Sequence, residues 1–213
     1  GKLVDITMKR PHAAASLFTS TTELSHWAQM ILDNGIYQGD TILPAEVIED
    51  MMTGRTLQSV AGLKKMAGAH FSQYALGWSV WDYHGTTVAE HGGGMPGYIS
   101  KLVLLPEENM AFIILTNTLS NFPTALEYHL LSELVHDNPT NWIELFEGFK
   151  KRGEMNEQKE IEKRLASRTH NTDPRLALED YVSIYEDAMY GKAEITLVDE
   201  KLHLVFLPAK NIF

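Results

Sequence analysis

The stretch AEHGGGMPGYISKLVLLPEENMAFIILTN, residues 89–117, carries the reading of the fold. A histidine and three consecutive glycines, His91, Gly92, Gly93 and Gly94, lead into two apolar segments, YISKLVLLP (98–106) and MAFIILTN (110–117). The PEEN between them ends in Asn109, a residue that tolerates positive φ, so the pair predicts a β-hairpin. Upstream, YALGWSVWDY (74–83) and TTVAEH (86–91) read as two more strands, joined at His84-Gly85. Four consecutive strands with short turns make an antiparallel meander.

Helices flank the meander. Residues 16–33, SLFTSTTELSHWAQMILD, predict a helix with Thr21 or Thr22 as N-cap and Glu23 in the first turn. Leu24, Trp27, Ala28 and Ile31 form its apolar face, and Gly35 suits the left-handed position that ends it. A second helix begins at Pro44 and carries Val47, Ile48, Met51 and Met52, the methionines reading as core filling. Residues 53–73 are weakly periodic and predict a loop. FPTALEYHLLSELVHD (122–137) predicts a helix that lays Ala125, Leu126, Leu130, Leu131 and Leu134 on the sheet. From 138 to 172 the chain is highly charged, a linker helix begun by Trp142, Leu145, Phe146 and Phe149, with Glu160 and Arg164 spaced as an i,i+4 pair. After Asp173-Pro174 come strands around the turn at 199–201, the start of a second, all-β unit. The expected class is α+β: an antiparallel sheet packed with helices over 1–137, a charged helical linker over 138–172, and the opening of a small β-rich domain over 173–213.

Composition narrows the function. The formal net charge of −10 and the short basic clusters, Lys64-Lys65 and Lys150-Lys151-Arg152, argue against nucleic acid as a partner. No apolar run reaches the roughly 20 residues of a membrane-spanning helix. Zero cysteines removes thiol catalysis and zinc-thiolate sites, and nine scattered histidines show no H-E-x-x-H, so no metal is expected. Neither a P-loop nor G-x-G-x-x-G is present, so no nucleotide cofactor is expected either. HGGGMPG itself ends one strand and enters another, with no helix N-terminus to hold a pyrophosphate.

Consecutive glycines let a ligand approach the backbone and leave N–H groups unshielded, as an oxyanion hole requires; a plain glycine connection is the alternative. The HGGG of lipases is a further reading, but it demands G-x-S-x-G, and the nearest stretch, GWSVW (77–81), ends in tryptophan.

Taken in order, STTELSHW, LGW, HGGG-x-PGY and LP-E-E-N with LTN resemble the C-terminal half of the serine β-lactamase and penicillin-binding-protein-like family, especially its class C-like hydrolases and D-aminopeptidase or esterase relatives. The resemblance covers roughly residues 10–136. It implies hydrolysis of an amide or ester through an acyl-serine intermediate, without cofactor, and a periplasmic or extracytoplasmic location. It implies that His91, Gly92 and Gly93 line the cleft as the family's triplet, and that the Gly94 backbone N–H is one oxyanion donor. The family's nucleophile lies in S-x-x-K, and no serine of this sequence has lysine three residues on. YIS (98–100) and YVS (181–183) match Y-x-S only in form: the first follows the glycine triplet and the second lies in the appended domain, whereas the resemblance implies a tyrosine that precedes both. The chain is therefore expected to be a fragment: one wall of a site, inactive alone, whose full-length protein takes a small-molecule or peptide-like substrate. A non-catalytic binding or scaffold protein of this fold is the alternative. The family's N-terminal strands would complete the sheet, so an open edge and self-association are expected of the isolated chain.

Overall fold

In the computed structural model, which describes residues 14, 17–135, 139–170 and 172–207, the chain enters its first helix, α1 (Thr21–Leu32), through a capping box. The Ser20 hydroxyl accepts from the Glu23 N–H at 3.2 Å, and Glu23 Oε2 accepts from the Ser20 N–H at 3.3 Å. The cap is thus Ser20, one residue before the expected threonines, because only that spacing sets a glutamate at the third helical position. The helix buries Ala28, Met30 and Ile31 and leaves Trp27 outside, so Met30 takes the place expected of the tryptophan. After the Asp33 cap, Asn34 at φ +54° takes the left-handed position expected of Gly35, which follows at φ +87° and donates its N–H to the Met30 carbonyl at 2.8 Å; a Cβ on Gly35 would lie 2.0 Å from the Leu43 carbonyl oxygen.

A two-residue hairpin follows, β1 (Ile36–Tyr37) with β2 (Asp40–Thr41), then α2 (Ala45–Met52), which buries Ile48 and leaves Val47 exposed. The expected loop over 53–73 instead holds β3 (Thr56–Leu57), α3 (Gly62–Met66) and the start of β4 (Ser72–Tyr74). The expected strand 74–83 is interrupted: Gly77 turns at φ +83° and splits β4 from β5 (Ser79–Tyr83). His84 and Gly85, both at positive φ, make the next tight turn. Strand β6 (Thr86–Met95) then runs through the glycines rather than ending at His91. Pro96 and Gly97, the latter at φ +90°, turn it into β7 (Tyr98–Leu105), and Asn109 at φ +49° turns that into β8 (Met110–Thr116). Strands β3 to β8 form one six-stranded antiparallel sheet in sequence order.

Both sheet faces are covered. On one, Val80, Ala89 and Leu104 meet Ala28 and Ile31 of α1 and Ile48 of α2. On the other, Trp81, Tyr83, Val88, Val103 and Leu105 meet α4 (Phe122–Val135) and the first turns of α5 (Trp142–Ala166). Trp81 stacks on Tyr128 at 5.7 Å, and Tyr128 lies 4.9 Å from the buried Trp142. Helix α4 turns Ala125, Glu127, Tyr128, Leu131 and Ser132 inward, while Leu134 stays exposed; a glutamate occupies the inward stripe where leucines were expected. His136 and Asp137, placed at that helix's end by sequence, lie outside the described residues.

By its contacts the chain divides into two units, Gly1–Met155 and Asn156–Phe213, with the boundary inside α5. Glu160 of that helix pairs with Lys163, at 3.9 Å, rather than with Arg164 as its spacing predicted. The second unit contains a three-stranded antiparallel sheet of β9 (Ser183–Asp187), β10 (Gly191–Val198) and β11 (Lys201–Phe206), with β10 central. Asp199 and Glu200, at φ +49° and +58°, make its second turn. None of its described residues is buried, as expected of a single thin sheet. No helix among the described residues is long and apolar enough to cross a membrane.

Candidate active site

The glycines are extended backbone, with none of Gly92, Gly93 and Gly94 at positive φ. They belong to a strand whose two edges differ. Pairing with β7 continues to the end of β6, through His91↔Leu102, Gly92↔Lys101, Gly93↔Ser100, Gly94↔Ile99 and Met95↔Tyr98. Pairing with β5 stops at Ser79↔Glu90. From His91 to Met95, among the described residues, one edge of β6 is therefore without a strand neighbour. In an antiparallel ladder every second residue turns its N–H and C=O away from a given neighbour, so this segment offers backbone donors to whatever lies beside it.

Side chains alternate across the sheet, which places His91 and Gly93 on the face of Ala89, and Gly92 and Gly94 on the face of Glu90. Each glycine meets a different neighbour. A Cβ on Gly93 would lie 2.6 Å from Ser100 Oγ, so the bare backbone leaves room for that hydroxyl. A Cβ on Gly92 would touch the Lys101 stem at 3.4 Å, and one on Gly94 would meet nothing within 4 Å. His91 is exposed and shares a hydrogen bond of 3.0 Å between its Nε2 and the hydroxyl of Tyr74 on β4. Sequence reasoning found His91 and the glycines but neither Tyr74 nor Ser100 as their neighbours. Tyr74 ends a short strand, β4, that the expected strand 74–83 conceals, and Ser100 carries no motif beyond the formal Y-x-S.

Beneath the triplet, on the Glu90 face, lies a buried ionic cluster that no motif announced. Glu90 Oε1 accepts from Trp81 Nε1 at 3.0 Å, and Lys101 Nζ donates to Glu90 Oε2 at 3.4 Å. Lys101 Nζ also lies 2.6 Å from Oε2 of the fully buried Glu127. Lys64 of α3 closes the cluster, 4.0 Å from Glu90 and hydrogen-bonded to Ser72 and Ser79 at 3.0 and 2.8 Å. Burial, and then the neighbouring Glu90 carboxylate, push the Glu127 carboxyl well above the ordinary range. Burial would raise Glu90 too, but hydrogen bonding with Glu127 and the two ammonium groups hold it below. Burial lowers Lys64, whereas at Lys101 the two carboxylates overcome burial and raise it. Two carboxyl and two ammonium side chains thus meet on the underside of the His91 strand.

At the far end of β5, buried Asp82 accepts from the backbone N–H groups of His70, Phe71 and Gly85 at 2.7, 3.0 and 3.1 Å, with the His70 ring at 2.6 Å. Burial opposes its charge, but these hydrogen bonds outweigh burial and hold the carboxyl below its usual value. It anchors the chain between α3 and β4. No group of three or more His, Asp or Glu side chains among the described residues could hold a metal ion.

Comparisons with known proteins bear on the family of the chain. The chain is 28% identical over 152 residues to the unguisins hydrolase ungD' of Aspergillus campestris (strain IBT 28561), which covers 66% of this chain and 27% of that protein. The chain thus spans about a quarter of the length of the curated relative it matches. The octameric penicillin-binding protein homologue from Pyrococcus abyssi resembles it with a TM-score of 0.48 at 17% identity, covering 89% of this chain and 35% of that one. The Beta-lactamase family model matches residues 3–135, a span that takes in α1, the whole six-stranded sheet and α4. With well over half of its residues matched, the chain belongs to the beta-lactamase family, a hydrolase-type family.

Proposed function

We propose that this chain supplies the oxyanion-side wall of an acyl-serine hydrolase. His91, Gly92 and Gly93 line the cleft, and the Gly94 backbone N–H donates to the oxyanion that forms as a serine attacks an amide or ester carbonyl. The observation that carries this reading is the free edge of β6 from His91 to Met95, glycine-lined and held straight by β7. Preorganised backbone donors are what developing negative charge needs, because they require no reorganisation during the reaction. A hydrolase among the relatives supports hydrolysis as the reaction class. This sequence contains no S-x-x-K serine, so the nucleophile comes from a longer form of the protein and the 213-residue chain turns over nothing.

A fluorophosphonate probe tests the reading in two proteins. The 213-residue chain is expected to form no adduct, and a longer form carrying S-x-x-K is expected to form one on that serine. In the longer form, Gly94→Ala keeps the N–H and meets open space, so acylation is expected to persist. Gly94→Pro removes the N–H and is expected to slow acylation by about 10²–10³-fold. An adduct on a serine of the short chain, or a longer form that never acylates, overturns the proposal; the second outcome favours a non-catalytic binding protein of this fold.

A further inference from the structure

We propose that Tyr74 is the positioning residue for His91: its hydroxyl donates to Nε2 and holds the imidazole as the Nδ1–H tautomer, making His91 a hydrogen-bond donor toward a carbonyl or carboxylate oxygen of the substrate. The substrate role rests on the function proposed above; the tautomer assignment does not.

The geometry is direct. The Tyr74 hydroxyl and His91 Nε2 are 3.0 Å apart, and the two rings meet edge to face with centroids 6.2 Å apart. A phenol donates more strongly than a neutral imidazole N–H, so in a phenol–imidazole pair the hydroxyl gives its proton to the nitrogen lone pair. The nitrogen that accepts carries no hydrogen, which fixes the proton on Nδ1. Neither partner is loose. Tyr74 closes β4 in register with Ser79 of β5, and its carbonyl accepts from the Arg55 N–H at 2.8 Å. His91 follows Glu90, which the half-buried Lys64 and Lys101 and the buried Trp81 hold in place. The pair therefore spans the place where β5 leaves β6, beside the free edge.

A donor at this position has a chemical consequence. Lysine in the same place would hold an anion by permanent charge; a neutral Nδ1–H favours an oxygen acceptor of either charge, so neutral esters and amides are accepted beside carboxylates.

Long-range proton–nitrogen NMR of the 213-residue chain, at a pH where imidazole is neutral, reads the tautomer of each histidine. The expected result is His91 with a protonated Nδ1 and a bare Nε2. Tyr74→Phe keeps the ring and removes the hydroxyl, and is expected to shift His91 toward the Nε2–H form that free imidazole side chains favour. Tyr98→Phe, an exposed tyrosine on β7, is expected to leave it unchanged, with the amide spectrum reporting an intact fold in both variants. An Nε2–H tautomer in the parent chain, or one indifferent to Tyr74→Phe in a folded protein, overturns the assignment. In a longer, acylating form, Tyr74→Phe is expected to raise KM more than it lowers kcat, since His91 grips substrate rather than reacting. A His91 tautomer set by Tyr74 in a protein that never acylates would defeat the hydrolase reading alone, and acylation with an indifferent tautomer would defeat this one alone.

Discussion

Lys101 occupies a position on β7 where its neighbours in the stripe, Val103 and Leu105, are fully buried and apolar. It is tolerated because Glu90 and Glu127 lie within reach of its ammonium group, and removing one partner of such a set leaves another charge stranded. Lys101→Met is expected to destabilise the first unit by about 3–5 kcal/mol, read by urea unfolding. Lys101 also backs Gly92, so the same variant should loosen the site strand, visible as faster amide exchange over His91–Met95. Glu127 gives a pH signature. Its folded-state pKa lies above the unfolded value, so its contribution is complete below about pH 4, the ordinary glutamate range, and is lost as pH rises through the folded value. Glu90 and Asp82, held below their ordinary values, act in the opposite sense and lose their contribution only toward acid. Glu127→Gln keeps the shape without the titration, and is expected to lose less stability than the parent as pH rises above the ordinary glutamate range. Equal losses in both proteins would refute the assignment.

At the scale of elements, α1 shows how much a few residues decide. S-x-x-E at Ser20 and Glu23 starts it and Asn34-Gly35 ends it, and each makes a separate demand. Ser20→Ala is expected to cost about 1 kcal/mol. Gly35→Ala forces a side chain into positive φ and against the Leu43 carbonyl, and is expected to lower the unfolding midpoint further than Ser20→Ala. A smaller shift for Gly35→Ala in a thermal melt would contradict the geometry. The last two strands of the sheet were legible because their apolar runs are bounded by turn residues, Pro96-Gly97 before β7 and Asn109 before β8. β3, β4 and α3 were not legible, since elements of two to five residues give no periodicity to read. The site divides the same way. His91 and its glycines announce themselves in sequence, whereas Tyr74, Ser100, Lys64 and Glu127 join them only through strand register and helix packing.

At the scale of the molecule, the six-stranded sheet ends at β8, and among the described residues no strand pairs with that edge. Its outer residues include the half-exposed Leu115. An unpaired apolar edge recruits another strand, so we propose that the isolated chain self-associates through β8. Light scattering after size exclusion is expected to show mass rising with concentration, and Leu115→Lys, which sets a charge on the edge, is expected to suppress the rise. A monodisperse parent chain, or association unaffected by Leu115→Lys, would remove β8 as the contact. The sequence by itself determined the antiparallel meander, its helical cover and the glycine-lined strand, because turn residues, apolar patterning and the order of motifs are local properties. Tertiary structure alone decided that β6 outruns β5 to leave a free edge, that Tyr74 reaches His91, and that four ionisable side chains gather beneath the glycines. Those outcomes depend on register and on which helix face turns inward, and both are settled only when distant segments pack against one another.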